Sequence, residues 1–232
     1  MTSTPSGRRC AHTLRALAWL LRYPDAELRA ALPALGEALR GDAALSRSRL
    51  AEIDALIARL RSLPGLQAEA EYVDLFDRGR HTALQLFEHV HGDSRDRGPA
   101  MIDLVQTYER AGLLLDDGAL PDDLRVALEF ASTQPPAASQ AFLREIAHIV
   151  RTIFSALQAR GSRYASVLAA ILDLAGERAE PVALAEEPPL DETWADPEAF
   201  GGCASAGQSR PDQPQPIHFV RNGAAAVQPR AA

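Results

Sequence analysis

The residues best able to do chemistry in this chain crowd into one charged run, Glu88-His89-Val90-His91-Gly92-Asp93-Ser94-Arg95-Asp96-Arg97. An HxH pair beside carboxylates suggests a metal centre, and His89, His91 and Asp96 are the set a metal-dependent hydrolase would use. Helical geometry argues against it. Residues two apart on a helix point about 160° apart and cannot share an ion. The flanking Leu84-Gln85-Leu86-Phe87 lacks the alternation of a strand, which alone would bring both rings to one face. His81, His89, His91 or Glu88 could serve as a general base, but no nucleophile accompanies them. The glycines at 79, 92 and 98 do not form a phosphate-binding loop. No catalytic residue and no metal ligand is therefore assigned. Two compatible roles remain. Asp93, Arg95, Asp96, Arg97 and Asp103 can lock a turn through ion pairs and caps, and a locked turn can serve as a recognition surface.

The elements that hold this run are amphipathic helices. Tyr72, Leu75 and Phe76 repeat at helical spacing. Leu84, Phe87, Val90 and His91 fall on one arc of a second helix, with Glu88 at its edge and His89 on the far side. Gly92 should end that helix. Asp93 or Ser94 can cap the next one, Pro99 suits its first turn, and Met101, Leu104, Val105 and Tyr108 give it a stripe. The charged turn thus joins two helix ends. Leu75, Phe76, Phe87 and Tyr108, with Tyr72, would line an apolar groove whose rim carries Glu88, His89 and Asp96.

The rest of the chain reads as further helices. One runs from His12 to Leu21, and one is capped by Asp25 with a kink or break expected at Pro33. Another carries Leu50, Ile53, Leu56, Ile57 and Leu60 behind Ser46 or Ser48. Pro121 opens one that faces Leu124, Leu128 and Phe130 inward. The Phe142 to Leu157 stripe follows a linker at Gln134-Pro135-Pro136, and Tyr164, Val167, Leu168 and Ile171 form the last. An all-α, bundle-like domain of about eight helices is expected over residues 11–178, behind a flexible residues 1–10. From residue 179 the composition changes. Eight of the 16 prolines fall in residues 181–229, so residues 179–232 are expected to be a mostly disordered tail. Within it only Trp194, Phe200 and Ile217-His218-Phe219-Val220 stand out.

Charge narrows the partners. Residues 69–123 hold 13 carboxylates against 5 arginines, a net −8 in a chain of −7 overall, which argues against nucleic acid and favours a basic partner. Arg8-Arg9 precede an apolar stretch that Arg15 and Arg22 interrupt, so no export signal is read there. No stretch approaches the roughly 20 apolar residues of a membrane span. Cys10 and Cys203, expected in mobile segments, form no disulfide framework, which fits a cytoplasmic location.

The run LFDRGRHTALQLFEHVHGDSRDRGPAMIDL (75–104), with YERAGL and LPDDL after it, resembles the signature of NarJ-type nitrate reductase assembly chaperones, of the wider redox enzyme maturation group. ETWADPEAF followed by Cys203 agrees with it. The resemblance implies an all-helical fold and a client, the apo catalytic subunit of a respiratory nitrate reductase, bound by its basic amphipathic N-terminal peptide. It implies that the client is held in the cytoplasm until molybdenum cofactor insertion and membrane docking. No stably bound cofactor is implied, while cofactor-biosynthesis proteins are further candidate partners. A structural subunit of the mature enzyme is the remaining alternative.

Overall fold

A computed structural model describes residues 10–92, 94–116 and 118–184, apart from the side chain of Arg80. These form nine α-helices: α1 (Ala11–Leu20), α2 (Ala26–Gly41), α3 (Arg47–Ser62), α4 (Gly65–Phe76), α5 (Leu86–Val90), α6 (Arg97–Arg110), α7 (Leu124–Thr133), α8 (Pro136–Ala159) and α9 (Ala165–Ala175). A single 3-10 turn, Arg80–Thr82, precedes α5. Among the described residues there is no strand, only an isolated antiparallel bridge between Gln85 and Asp123. The all-α expectation holds.

The core is built around α9. Its residues Val167 to Leu172 are completely buried, so it is apolar all round rather than on one stripe. α8, α3 and α1 pack on it, α7 covers α1, and α2 bridges α1 and α3. Asp25 caps α2 through the Leu28 amide (2.8 Å) and Ser46 caps α3 through the Arg49 amide (3.2 Å). α9 ends at Gly176, whose φ of +81° allows the Glu177 amide to reach back to the Leu172 carbonyl.

Several expectations are corrected. Pro33 lies inside α2 without breaking it; it is exposed, while Leu32 and Leu39 hold the helix to the core. The Pro135-Pro136 linker is the start of α8, with Pro136 in its first turn, where the missing amide costs nothing. Cys10 is half-buried at the head of α1. The expected tail begins with residues that lie along α8: Ala179 packs against the core and the Val182 amide donates to Ser155 Oγ (3.0 Å). Arg8-Arg9, Cys203, Trp194, Phe200 and residues 217–220 lie outside the described residues. None of the described helices is long and apolar enough to cross a membrane.

Candidate functional site

The charged corner is assembled from three pieces of chain. The 3-10 turn follows Gly79, where an added Cβ would run into the hydroxyl of the buried Thr82. The chain bends at Leu84 into an extended Gln85, and the Leu124 amide donates to the Leu84 carbonyl (2.9 Å). α5 follows and is one turn long. Its amides are held by the LPDDL run: Leu86 N donates to the Asp122 carbonyl (2.8 Å) and Phe87 N to Asp122 Oδ2 (3.2 Å). Asp123, the next residue, caps α7 through the Arg125 amide (2.8 Å) and pairs with the Arg125 guanidinium. Two adjacent carboxylates thus do different work, one serving each neighbouring helix.

Arg97 closes the corner. It is the first residue of α6, and a helical side chain leans over the turn before it. From there its Nη2 lies 3.7 Å from Asp122 Oδ2 and 3.9 Å from Glu88 Oε1. Asp122 is completely buried, and its second oxygen, Oδ1, has no hydrogen-bond partner. Burial pushes its carboxyl above the ordinary carboxylate value; the Phe87 amide and the Arg97 charge work the other way. The Phe87 amide, and after it the arginine, thus offset a buried carboxylate. The lock was expected to use Asp93, Asp96 or Asp103. Asp93 lies outside the described residues. Asp96 instead bonds locally, accepting from Ser94 Oγ (3.3 Å), and Arg95 and Asp103 make no ion pair among the described residues. Nor does Ser94 cap α6; Asp96 holds the cap position without a side-chain bond.

The other predicted residues separate into distinct places. Tyr72 and Phe76 belong to a core aromatic cluster with Tyr164, at ring-centroid distances of 4.7 Å for Tyr72–Phe76 and 5.1 Å for Phe76–Tyr164. The Tyr72 hydroxyl donates to the Leu21 carbonyl (2.7 Å), and burial pushes its pKa up to about 12. Leu75 lines a separate cavity with Arg160 and Tyr164. Tyr108 is buried at the far end of α6, its ring against Phe130 and its hydroxyl donating to the Pro121 carbonyl (2.9 Å). A single groove lined by all of them is not what the fold builds. Phe87 stays at the corner, half-buried, with His91 edge-on at 5.2 Å. Leu84 lies outside α5 and Val90 faces solvent, so the expected four-residue arc does not form.

Glu88, His89 and Arg97 share a cavity of about 620 Å³ with His81, His148 and Leu184. His89 is tucked in: its Nε2 lies 2.9 Å from the Ala83 carbonyl, and burial lowers its pKa. A carbonyl only accepts, so the proton sits on Nε2 and the neutral ring is held in one tautomer. Among the described residues, no three His, Cys, Asp or Glu side chains are gathered as a metal ion would need. The corner therefore presents a mixed-charge surface: Glu88, Arg95, Asp96 and Val90 are exposed, and Asp122 holds the first amides of α5 behind Glu88.

A solved structure from Archaeoglobus fulgidus, described as a redox enzyme maturation protein, superposes on 76% of this chain and 97% of its own with a TM-score of 0.50 and 17% identity, which establishes likeness of fold. A family model described as the nitrate reductase delta subunit matches residues 22–170. The chain is 40% identical over 168 residues to the nitrate reductase molybdenum cofactor assembly chaperone NarJ of Escherichia coli K12, covering 72% of this chain and 71% of that one. It is 39% identical over 163 residues to a second protein of that strain, NarW, covering 70% and 68%. The chain belongs to the nitrate reductase delta subunit family and is a NarJ-type chaperone.

Of the residues that build the corner, Asp122 carried no assignment in the sequence reading. The available signal was the doubled acid of LPDDL: one residue suffices to cap a helix, so the second must serve something else.

Proposed function

We propose that this chain is the assembly chaperone of a respiratory nitrate reductase. It binds the apo catalytic subunit through that subunit's N-terminal segment and keeps it competent for molybdenum cofactor insertion and complex assembly before membrane docking. It works in the cytoplasm, leaves before the enzyme is mature, catalyses no reaction of its own and retains no cofactor. Proteins of cofactor biosynthesis are its further partners during insertion. The observation that carries this reading is the 40% identity to NarJ over most of both chains.

The corner supports the polar part of recognition. Glu88 and Asp96 are exposed carboxylates on pre-formed backbone, so a basic client segment meets them without an ordering cost on the chaperone's side. The client pays that cost instead, which keeps affinity moderate and allows release. Calorimetry with a peptide of the client's N-terminal segment tests the corner. Asp96→Ala and Glu88→Ala should each weaken binding several-fold, with the loss shrinking at high salt. Unchanged affinity in both variants removes the corner from recognition.

A further inference from the structure

Helix α6 is held to the body differently from the other long helices. Tyr108 is its one buried residue, and none of its residues belongs to the core cluster. Met101, Leu104 and Val105, the rest of its apolar stripe, are only half-buried, and Ile102 faces solvent. The loop that follows is no better covered: Leu114 is 85% exposed. Among the described residues, the backbone of 94–116 makes hydrogen bonds only within itself and to the turns that flank it. A helix of this length draws its persistence from packing, and here the packing is thin.

Two side chains tie the segment down. At its start, Arg97 reaches Asp122 (3.7 Å) and Glu88 (3.9 Å). Near its end, the Tyr108 hydroxyl donates to the Pro121 carbonyl (2.9 Å), and the Tyr108 ring covers Phe130 at 4.8 Å. Both ties converge on one dipeptide, Pro121-Asp122, which belongs to the body and also holds the first amides of α5. Just outside the segment lie Gly92 and Gly118, with φ of +50° and +87°. A Cβ at either would meet nothing within 4 Å, so neither glycine is hemmed in by neighbours. Glycine there can change φ and ψ without a steric penalty. A segment with few buried side chains, no backbone bond to the core and a free pivot at each end has the makings of an independent opening unit.

We propose that residues 94–116 form a latched strap. It opens as one unit about Gly92 and Gly118, when Arg97 leaves Asp122 and Tyr108 leaves Pro121, while the helical core stays folded. Opening uncovers Phe130, whose other ring neighbour is Phe142 at 4.9 Å, and so bares an apolar face that the closed chain hides. The strap is a property of the fold and does not rest on the chaperone reading.

Hydrogen exchange of the full-length chain tests it, read by mass spectrometry over a urea series below the unfolding midpoint and where reclosing outruns exchange. The amides of α6 should exchange on the order of 100-fold faster than those of α9, with one common urea slope smaller than that of α9. Tyr108→Phe removes one latch and should speed α6 exchange about fivefold. Ile171→Val trims the core within α9; it should speed α9 exchange about fivefold and leave α6 unchanged. Equal rates and slopes in α6 and α9, or an Ile171→Val effect shared by both, would mean that α6 opens only when the whole chain unfolds, and overturns the strap. Exchange in α6 that ignores urea would mean amide-by-amide fraying and overturns it equally.

Discussion

Tyr72 and Tyr164 sit 6.1 Å apart in the same cluster, yet their hydroxyls have opposite fates. The Tyr72 hydroxyl reaches the Leu21 carbonyl 51 residues away, whereas the Tyr164 hydroxyl is buried with no partner. An unsatisfied buried donor costs its full desolvation, while a satisfied one contributes about 1 kcal/mol. Tyr164→Phe should therefore leave stability unchanged or raise it by up to about 1 kcal/mol, and Tyr72→Phe should lower it by about 1 kcal/mol. Urea unfolding of the two variants checks the contrast; equal losses would mean that both hydroxyls act through packing alone. The helical spacing of Tyr72 and Phe76 was legible in the sequence. Their burial inside a cluster closed by Tyr164 was not, because periodicity shows which face is apolar but not what covers it.

Helix α5 shows what an element owes to its neighbours. At one turn it is too short to persist alone, and its first amides depend on Asp122. A helical wheel therefore overextended it to Leu84, which instead sits in the bend before Gln85 with its carbonyl accepting from the Leu124 amide. Conversely Pro33, read as a kink or break, leaves α2 continuous because buried leucines on the same helix outweigh one missing hydrogen bond. The corner's stability should depend on pH through Asp122. Its carboxyl is raised in the folded chain, so burying it favours folding below the ordinary value of 3.8 and costs stability as pH rises through the native value. Arg97 offsets that cost only once the carboxylate is charged. Arg97→Ala should therefore destabilise by about 2 kcal/mol near neutral pH and progressively less as pH falls toward the ordinary carboxylate range. Denaturant unfolding across that range is the check; a loss independent of pH would mean that Arg97 matters only for packing.

At the scale of the molecule, the all-helical architecture and the order of the helices were readable from apolar stripes, caps and prolines. The site was readable only in part. The charged corner announced itself because its residues are contiguous. The latched strap did not, because its latches end on Pro121 and Asp122, outside it, and an apolar stripe reads the same whether or not a core covers it. The net −8 of residues 69–123 supplies the exposed carboxylates of the corner, Glu88 and Asp96.

The central claim is that the chain holds an immature catalytic subunit and then lets it go. Its most direct test is purification of the tagged full-length chain from cells in which molybdenum cofactor synthesis is blocked, compared with cells in which it proceeds. The chain should accumulate on the cofactor-free catalytic subunit in the first case and be missing from the mature nitrate reductase in the second. Recovery of the chain in stoichiometric amount from the mature enzyme, or no association with the catalytic subunit under either condition, would contradict it.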